Sequence, residues 1–210
     1  MVNKSVYSVA AQQVRRPHKF IFLLLLGIIF SALYPSDIDS YPILPVGATT
    51  PTTVSFTEHY LRFVPTIVQI SLPLLLRDKV GLIQLLYVGI TTTVVTHGMK
   101  RLLNDRWIFG SRLGQRPSTS GSKQNMPSGH SSMASCAVYF VGKRYSIWLG
   151  ALLSLVLLLV MYARVMLNDH TISAVVAGAM VGFLTAAICT TRRMRRPKAV
   201  DARFCSELAK

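Results

Sequence analysis

Acidic residues are scarce in this 210-residue chain, which has eight Asp and Glu against 23 Lys and Arg and a formal net charge of +15. The few carboxylates form no cluster with histidines of the kind that holds a metal ion, so we expect neither a metal nor another cofactor. The three cysteines form no disulfide or zinc pattern. In a soluble protein this charge would suggest a nucleic-acid partner, but no DNA- or RNA-binding motif accompanies it, and we expect none.

Charged residues make up only 15% of the chain, whereas 51% of its residues are hydrophobic and its mean hydropathy is +0.42. The apolar residues form blocks rather than amphipathic stripes, at about 20–34, 58–76, 80–99, 129–141, 146–163 and 171–191. Each block approaches the roughly 20 residues that cross a bilayer, although the first and fourth are short. The sequence therefore predicts an all-α, polytopic membrane protein. We expect a single domain, 1–210, of six transmembrane helices in a bundle, ending in a basic cytoplasmic tail, 192–210.

The basic residues between the blocks predict how the chain lies in the membrane. With both termini in the cytoplasm, 15 of the 23 Lys and Arg residues are inside, as the positive-inside rule favours. Seven of the other eight lie in the segment 100–123 or at Arg164, and we interpret this outer basic cluster as a binding site. The first block also fits a secretion signal, but Tyr34-Pro35 is a poor cleavage site and we predict an uncleaved helix.

Pro127-Ser128-Gly129-His130 is the first candidate for a functional motif, because it opens the fourth apolar block. Ser128 is a favoured N-cap residue, and Gly129 leaves the first backbone N–H groups of the helix uncovered. Helix N-termini bind phosphate through such free donors, and His130 lies in the same first turn. Alone, the motif fits an ordinary capped helix with an interfacial histidine better than a phosphate site.

Arg164 and His170 lie on the same predicted face, around the turn between the fifth and sixth blocks. Taken separately, they fit an arginine that reaches the membrane surface and a histidine in a surface loop. Lys100 and Arg116 share that face, however. Arginine binds phosphate oxygens bidentately, and histidine can attack phosphorus or protonate a leaving oxygen. Together these residues predict a site for a phosphate group.

Three segments in this order resemble the signature motifs of the type 2 phosphatidic acid phosphatase superfamily: Lys100…Arg116-Pro117, Pro127-Ser128-Gly129-His130 and Arg164-x5-His170. The resemblance covers nearly the whole chain. Within the superfamily the chain is most similar to bacterial lipid A 1-phosphatases of the Helicobacter type, in the stretches FTEHYLRFVPT, RLGQRP, NMPSGHSSM and ARVMLNDHTISAVVAG. The resemblance implies a phosphatase of the bacterial inner membrane whose active site, at the periplasmic membrane interface, removes the 1-phosphate of lipid A.

The resemblance also implies roles for individual residues. His170 would attack phosphorus and form a phosphohistidine, and His130 would protonate the leaving oxygen. The phosphate oxygens would be held by three cations and by the start of a helix, through Lys100, Arg116, Arg164, Ser128 and Gly129. Because these cations would neutralise the developing negative charge, the hydrolysis would need no metal ion.

The first motif departs from the family pattern in its spacing. The family usually has lysine seven residues before Arg-Pro, where this chain has Phe109. Lys100 lies 16 residues before Arg116, and we expect it to take this role. Arg106 and Arg112 are the alternatives.

The third motif departs from the pattern four residues after the nucleophilic histidine. The family has an aspartate there, which binds the ring and determines its tautomer, whereas this chain has Ala174. Glu58, at the start of the second block, is a candidate to orient His170 instead. It equally fits a solvated acid stabilised by a helix dipole.

The sequence leaves several functions open besides removal of the 1-phosphate. The same chemistry could act on undecaprenyl pyrophosphate or phosphatidylglycerophosphate, or a lipid acceptor could replace water in a phosphotransferase. The alanine at position 174 also fits a non-catalytic lipid-phosphate binding protein or transporter. In each case the expected partners are a lipid phosphate and the bilayer, and no obligatory protein partner is evident.

Overall fold

The computed structural model describes residues 17–34, 38, 41, 50–118 and 123–193. Within them the chain forms α1 (His18–Leu33), α2 (Thr52–His59), α3 (Val64–Leu75), α4 (Lys79–Leu103), α5 (Gly129–Arg144), α6 (Ile147–Met166) and α7 (Ile172–Cys189). A 3-10 turn, Leu61–Phe63, joins α2 to α3. The basic leader and most of the predicted tail lie outside the described residues.

The described helices have the apolar character of a membrane protein. By length and composition α4, α6 and α7 could cross a bilayer, whereas α1 and the segment Leu61–Leu75 are apolar but shorter. The prediction of a predominantly helical membrane protein is therefore confirmed. The count of six spans and the side of the membrane that each loop faces stay predictions.

The second predicted block, 58–76, is not one helix. The chain bends at Tyr60 after α2, passes through the 3-10 turn and starts α3 at Val64. Pro65 explains the new start, because proline has no N–H to donate and is favoured in the first turn of a helix. The bend separates the short helix that carries Glu58 from the apolar helix that follows.

The loop between α4 and α5 contains a small antiparallel hairpin, β1 (Trp107–Ile108) and β2 (Ser111–Arg112), which the all-α prediction missed. Phe109 and Gly110 form the two-residue turn with φ of 49° and 80°. Positive φ at both positions is what a tight turn of type I′ requires. The hairpin begins just after Arg106 and contains Arg112, the two alternatives to Lys100.

Helix α7 lies at the centre of the bundle and packs against α1, α4 and α5. Its contact with α5 is close because two glycines face that helix. A Cβ atom on Gly178 would lie 2.3 Å from the carbonyl oxygen of Ser128, and one on Gly182 would lie 2.1 Å from that of Ser132. Small residues permit this backbone approach between apolar helices. The start of α5 is thereby held against the first turns of α7, which brings the second and third motifs together.

A buried polar cluster ties the bundle together at the opposite end. The Arg144 guanidinium, at the end of α5, donates two 2.7 Å hydrogen bonds to the Asp78 carboxylate, which caps the start of α4. The same side chain donates to Gln84 Oε1 and to the Thr191 carbonyl, each at 3.1 Å. Burial raises the pKa of Asp78, but its hydrogen bonds with Arg144 and Gly81 outweigh burial and bring the pKa below its ordinary value. The pair is therefore charged and paired at neutral pH.

Candidate active site

The residues that the sequence analysis selected from three separate motifs meet at one end of the bundle. Lys100 lies in the last turn of α4, Arg164 in the last turn of α6, and His170 in the short segment between α6 and α7. The charges of Lys100, Arg116 and Arg164 all lie close enough to the His170 ring to shift its pKa. Three cationic side chains therefore lie near one histidine.

The His170 ring is held in one tautomer. Its side chain is only 2% exposed, and its Nδ1 lies 2.7 Å from the carbonyl oxygen of Asn125. A carbonyl oxygen can only accept, so Nδ1 carries the hydrogen and Nε2 keeps its lone pair. Burial first, and then the charges of Lys100, Arg116 and Arg164, lower the pKa of His170 to about 2. The ring is thus neutral at physiological pH, with Nε2 available as a nucleophile.

Asn125 is a site residue that the sequence analysis missed. Its side chain binds the residue after the histidine: Oδ1 accepts from the Thr171 backbone N–H at 3.0 Å, and Nδ2 donates to Thr171 Oγ1 at 3.1 Å. These bonds align the Asn125 carbonyl with the His170 ring. Any residue has a carbonyl, so no pattern of side chains could have identified this one. Ala174, where the family has aspartate, is fully buried, and its own carbonyl accepts from the Ser128 N–H at 2.9 Å.

Glu58 contacts two arginines rather than His170, which corrects the hypothesis that it orients the nucleophile. Glu58 Oε1 accepts from Arg164 Nη1 at 2.9 Å and is also paired with Arg62, four residues further along. Its side chain is only 20% exposed, so it is not a fully solvated helix-end acid either. The bend at Tyr60 leaves α2 against the end of α6, which is where Arg164 lies.

Asp169 joins the two arginines of the first and third motifs. Its carboxylate accepts from Arg164 Nη2 at 2.7 Å and lies 3.5 Å from Arg116 Nη1. The Nε atoms of Arg116 and Arg164 are buried, and neither has a hydrogen-bond acceptor in the described part of the chain. Each arginine thus keeps an Nε–H donor that no acceptor in the described chain uses. Guanidinium groups with free donors are suited to binding a phosphate group.

Lys100, rather than Arg106 or Arg112, joins Arg116 and Arg164 near the His170 ring. It is buried, and its Nζ donates to the Gln124 carbonyl at 2.7 Å, next to Asn125. Arg112 donates to Asp105 Oδ1 at 2.7 Å within the hairpin region, and Arg106 is exposed. The greater spacing of the first motif is therefore accommodated by the hairpin, which lies between Lys100 and Arg116.

The N-terminus of α5 completes the site. The Ser128 side chain caps the helix by accepting from the Ser131 N–H at 3.5 Å. A Cβ atom on Gly129 would meet nothing within 4 Å, so the space beside this first turn is open. His130 Nε2 lies 3.4 Å from Arg62 Nη1, which places a second histidine beside the Glu58–Arg62 pair. Arg62 was not selected from the sequence, although its spacing of four residues from Glu58 would have indicated an ion pair on one helix face.

Other titratable residues do not join this constellation. His59 is exposed and bonds the Ser55 carbonyl in its own helix at 2.8 Å, and His97 is exposed on α4. In the described segments no three His, Cys, Asp or Glu side chains are placed to hold a metal ion together. The arrangement can hold an anion among three cations and a helix N-terminus, offer a neutral imidazole as nucleophile and supply a second imidazole for proton transfer.

Comparison with known proteins agrees with this geometry. Residues 81–198 match the PAP2 superfamily, and the chain belongs to this superfamily. It is 42% identical over 177 residues to the Lipid A 1-phosphatase of Helicobacter pylori strain J99, an alignment that covers 82% of this chain and 87% of the relative. The resemblance inferred from the motifs is therefore confirmed.

Two further proteins are also similar. The Lipid A 4'-phosphatase of the same strain is 35% identical over 135 residues, which cover 63% of this chain and 67% of the relative. The crystal structure of a transmembrane PAP2-type phosphatidylglycerolphosphate phosphatase from Bacillus subtilis is 21% identical, with a TM-score of 0.38, and the match covers 83% of this chain and 94% of that one.

Proposed function

We propose that this protein is a membrane phosphatase that removes the 1-phosphate of lipid A. The observation that carries the proposal is the His170 ring, neutral and with Nε2 free, among the charges of Lys100, Arg116 and Arg164. The 42% identity to a Lipid A 1-phosphatase supports the substrate. The positive-inside bias supports a bacterial inner-membrane protein with both termini in the cytoplasm and the site facing the periplasm.

We expect Arg116, Arg164 and the Lys100 ammonium to bind the oxygens of the phosphate group. The Nε atoms of both arginines have no hydrogen-bond partner in the described part of the chain, which leaves them donors to offer. The N–H groups beside Ser128 and Gly129 meet the phosphate oxygens from the helix N-terminus. Asp169 and Glu58 hold the Arg164 side chain in place at 2.7 and 2.9 Å, so the guanidinium is oriented before the lipid arrives.

The first chemical step transfers the phosphoryl group to the protein. His170 Nε2 attacks phosphorus, so the N–P bond forms as the bond from phosphorus to the anomeric oxygen breaks. His130 gives its proton to that oxygen, which leaves as the hydroxyl of the sugar. The phosphorylated ring carries a positive charge, which the Asn125 carbonyl stabilises through the Nδ1 hydrogen. The three cations stabilise the charge that develops on the phosphoryl oxygens.

The second step returns the protein to its starting state. Water attacks phosphorus, His130 takes a proton from it, the N–P bond breaks and inorganic phosphate leaves. A lipid hydroxyl in place of water would make the same site a phosphotransferase. The three cationic side chains neutralise the negative charge that develops on the phosphoryl oxygens, as a divalent metal ion would otherwise do. We therefore expect turnover without a metal.

The test is phosphate release by the purified protein from a panel of lipids: lipid A, undecaprenyl pyrophosphate and phosphatidylglycerophosphate. We expect the highest kcat/KM with lipid A, and mass spectrometry of the product should show that the 4′-phosphate remains. Faster cleavage of either other lipid, or loss of the 4′-phosphate, would reassign the substrate. No release from any lipid by folded protein would favour a binding protein or transporter.

Variants of the site test the mechanism in the same assay. Folded His170→Ala and Arg164→Ala proteins should show no turnover. Folded His130→Ala should also fail with lipid A, but should recover part of its rate with a substrate whose leaving group needs less proton donation. Substantial release by folded His170→Ala protein would remove the phosphohistidine from the mechanism.

A further inference from the structure

An apolar groove of about 710 Å³ lies between α3, α4 and α5. Along α4 it extends from Leu82 to Val94, which is about 18 Å at the helical rise per residue. One leaflet of a bilayer contributes about 15 Å of hydrocarbon. Ile70, Leu86 and Ile90 line the groove and are exposed. The groove therefore has the length and the lining to hold one acyl chain of a lipid.

The groove begins beside the catalytic site. Thr66 and Met133 line the groove; Thr66 is in the first turn of α3, four residues after Arg62, and Met133 is in the first turns of α5, three residues after His130. Arg62 Nη1 and His130 Nε2 are 3.4 Å apart. A lipid whose leaving oxygen is beside His130 could therefore place an acyl chain directly in this groove.

One side chain in the groove is out of place in an apolar lining. Gln69 is 95% buried, and its hydrogen-bond partner in the described part of the chain is the Cys136 thiol, 3.9 Å from both Oε1 and Nε2. A carboxamide has two donor hydrogens and two acceptor lone pairs, and a thiol is a weak partner for either. Thr92, the neighbouring polar residue of the lining, instead bonds Thr185 Oγ1 at 2.7 Å. A poorly satisfied amide in hydrocarbon is costly, which points to a further partner.

We propose that the Gln69 carboxamide binds a hydroxyl group on the acyl chain of the substrate and so selects hydroxylated lipids. This inference rests on the proposed function, because it needs a lipid phosphate at the site. A hydroxyl both donates and accepts, so it can satisfy the amide oxygen and the amide N–H, whereas an ester carbonyl only accepts. Gln69 lies about 8 Å along α3 from Val64, the first residue after the 3-10 turn that carries Arg62, which places the hydroxyl within the first few carbons of the chain.

The test compares two synthetic lipid phosphates that are identical except for a hydroxyl on carbon 3 of the acyl chain nearest the phosphate. The full-length protein in detergent should cleave the hydroxylated lipid with a kcat/KM about 10-fold higher, as the loss of one well-placed hydrogen bond implies. In Gln69→Leu the preference should fall below about 2-fold, mainly through slower cleavage of the hydroxylated lipid. Gln69→Met is a second variant of similar shape if the first does not fold.

Ile70→Leu is the matched control, because Ile70 lines the same groove but forms no hydrogen bond through its side chain. It should keep the wild-type preference. Equal cleavage of the two lipids by the wild type, or an equal loss with both lipids in the Gln69 variants, would overturn the inference and leave the phosphatase function standing. Release from neither lipid by folded wild-type protein would overturn the proposed function, and the inference with it.

Discussion

Replacing Asn125 by alanine is expected to slow turnover by about 100-fold while the protein still folds and still binds lipid. The Asn125 side chain is 3% exposed and makes two hydrogen bonds to Thr171, at 3.0 and 3.1 Å. Those bonds hold the Asn125 carbonyl 2.7 Å from His170 Nδ1. Without them the carbonyl is free to move, and a nucleophile displaced by about 1 Å can lose about 100-fold in rate.

The cost in stability follows from the same contacts. Each lost hydrogen bond contributes about 0.5–1.5 kcal/mol, and the Thr171 N–H, left buried without an acceptor, adds about 1–3 kcal/mol. We therefore expect the free energy of unfolding to fall by about 2–6 kcal/mol, against a typical total of about 5–15 kcal/mol for a folded protein. Thermal unfolding in detergent measures this loss, and the turnover assay is run well below the lowered midpoint.

The assay is phosphate release from lipid A at several lipid concentrations, so that kcat and KM are separated. The loss should appear in kcat, because Arg116 and Arg164 still bind the phosphate. Asn104→Ala is the control, since that side chain donates to the exposed Asp105 at 3.1 Å and not to a site residue. A folded Asn125→Ala protein whose kcat lies within threefold of wild type would refute the assignment of Asn125 as the residue that orients His170.

Five further predictions follow. Glu58→Gln should lower kcat/KM by only about 10-fold, because Arg164 keeps its 2.7 Å bond to Asp169. Adding Ala174→Asp should not restore kcat/KM. Rescue by that second substitution would mean that a carboxylate orients His170 after all. The ¹⁵N signals of His170 should show a neutral ring with hydrogen on Nδ1 from pH 8 to pH 5, whereas titration near pH 6.5 would contradict its lowered pKa. Because the unfolded chain binds that proton below about pH 6.5 and the folded chain does not, His170 should make the folded state less stable as the pH falls below 6.5, as the thermal midpoint can show. Arg144→Met should lower the free energy of unfolding by about 3–5 kcal/mol, because it leaves the buried Asp78 carboxylate without its partner, and kcat of the folded protein should change little. A lower kcat with unchanged stability would argue against a structural role for Arg144. Activity should survive excess chelator, and its loss there, with recovery on adding a divalent ion, would require a metal.

Much of the architecture could be predicted from the sequence, because membrane helices correspond to continuous runs of apolar residues. Such runs need no tertiary information, since a helix satisfies its own backbone hydrogen bonds in lipid. Interruptions within the predicted segments were harder to predict. Pro65 divides the second apolar run, and the Phe109–Gly110 turn makes part of a predicted loop a hairpin. Both depend on local backbone conformation, which a hydropathy pattern does not record.

The principal residues of the candidate site could also be predicted from the sequence, because they lie in short motifs whose order along the chain can be recognised. His130, Arg164 and His170 could be selected because they share one predicted face with Lys100 and Arg116, a basic cluster that indicated an anion, and because their motifs resemble those of a known family. Their roles in catalysis stay predictions that the variants above would test.

Only the tertiary structure decided which group holds the His170 ring and what lies around that ring. The Asn125 carbonyl is a backbone atom that every residue has, so its role depends entirely on where the chain passes. The places of Arg62 and Gln69 also depend on the fold. Arg62 contacts His130, and Gln69 lies in a groove formed by three helices. A sequence records the side chains and their spacing along the chain. Contacts between residues as far apart as 45 to 68 positions exist only once α5 has packed against α7 and α3 against α5.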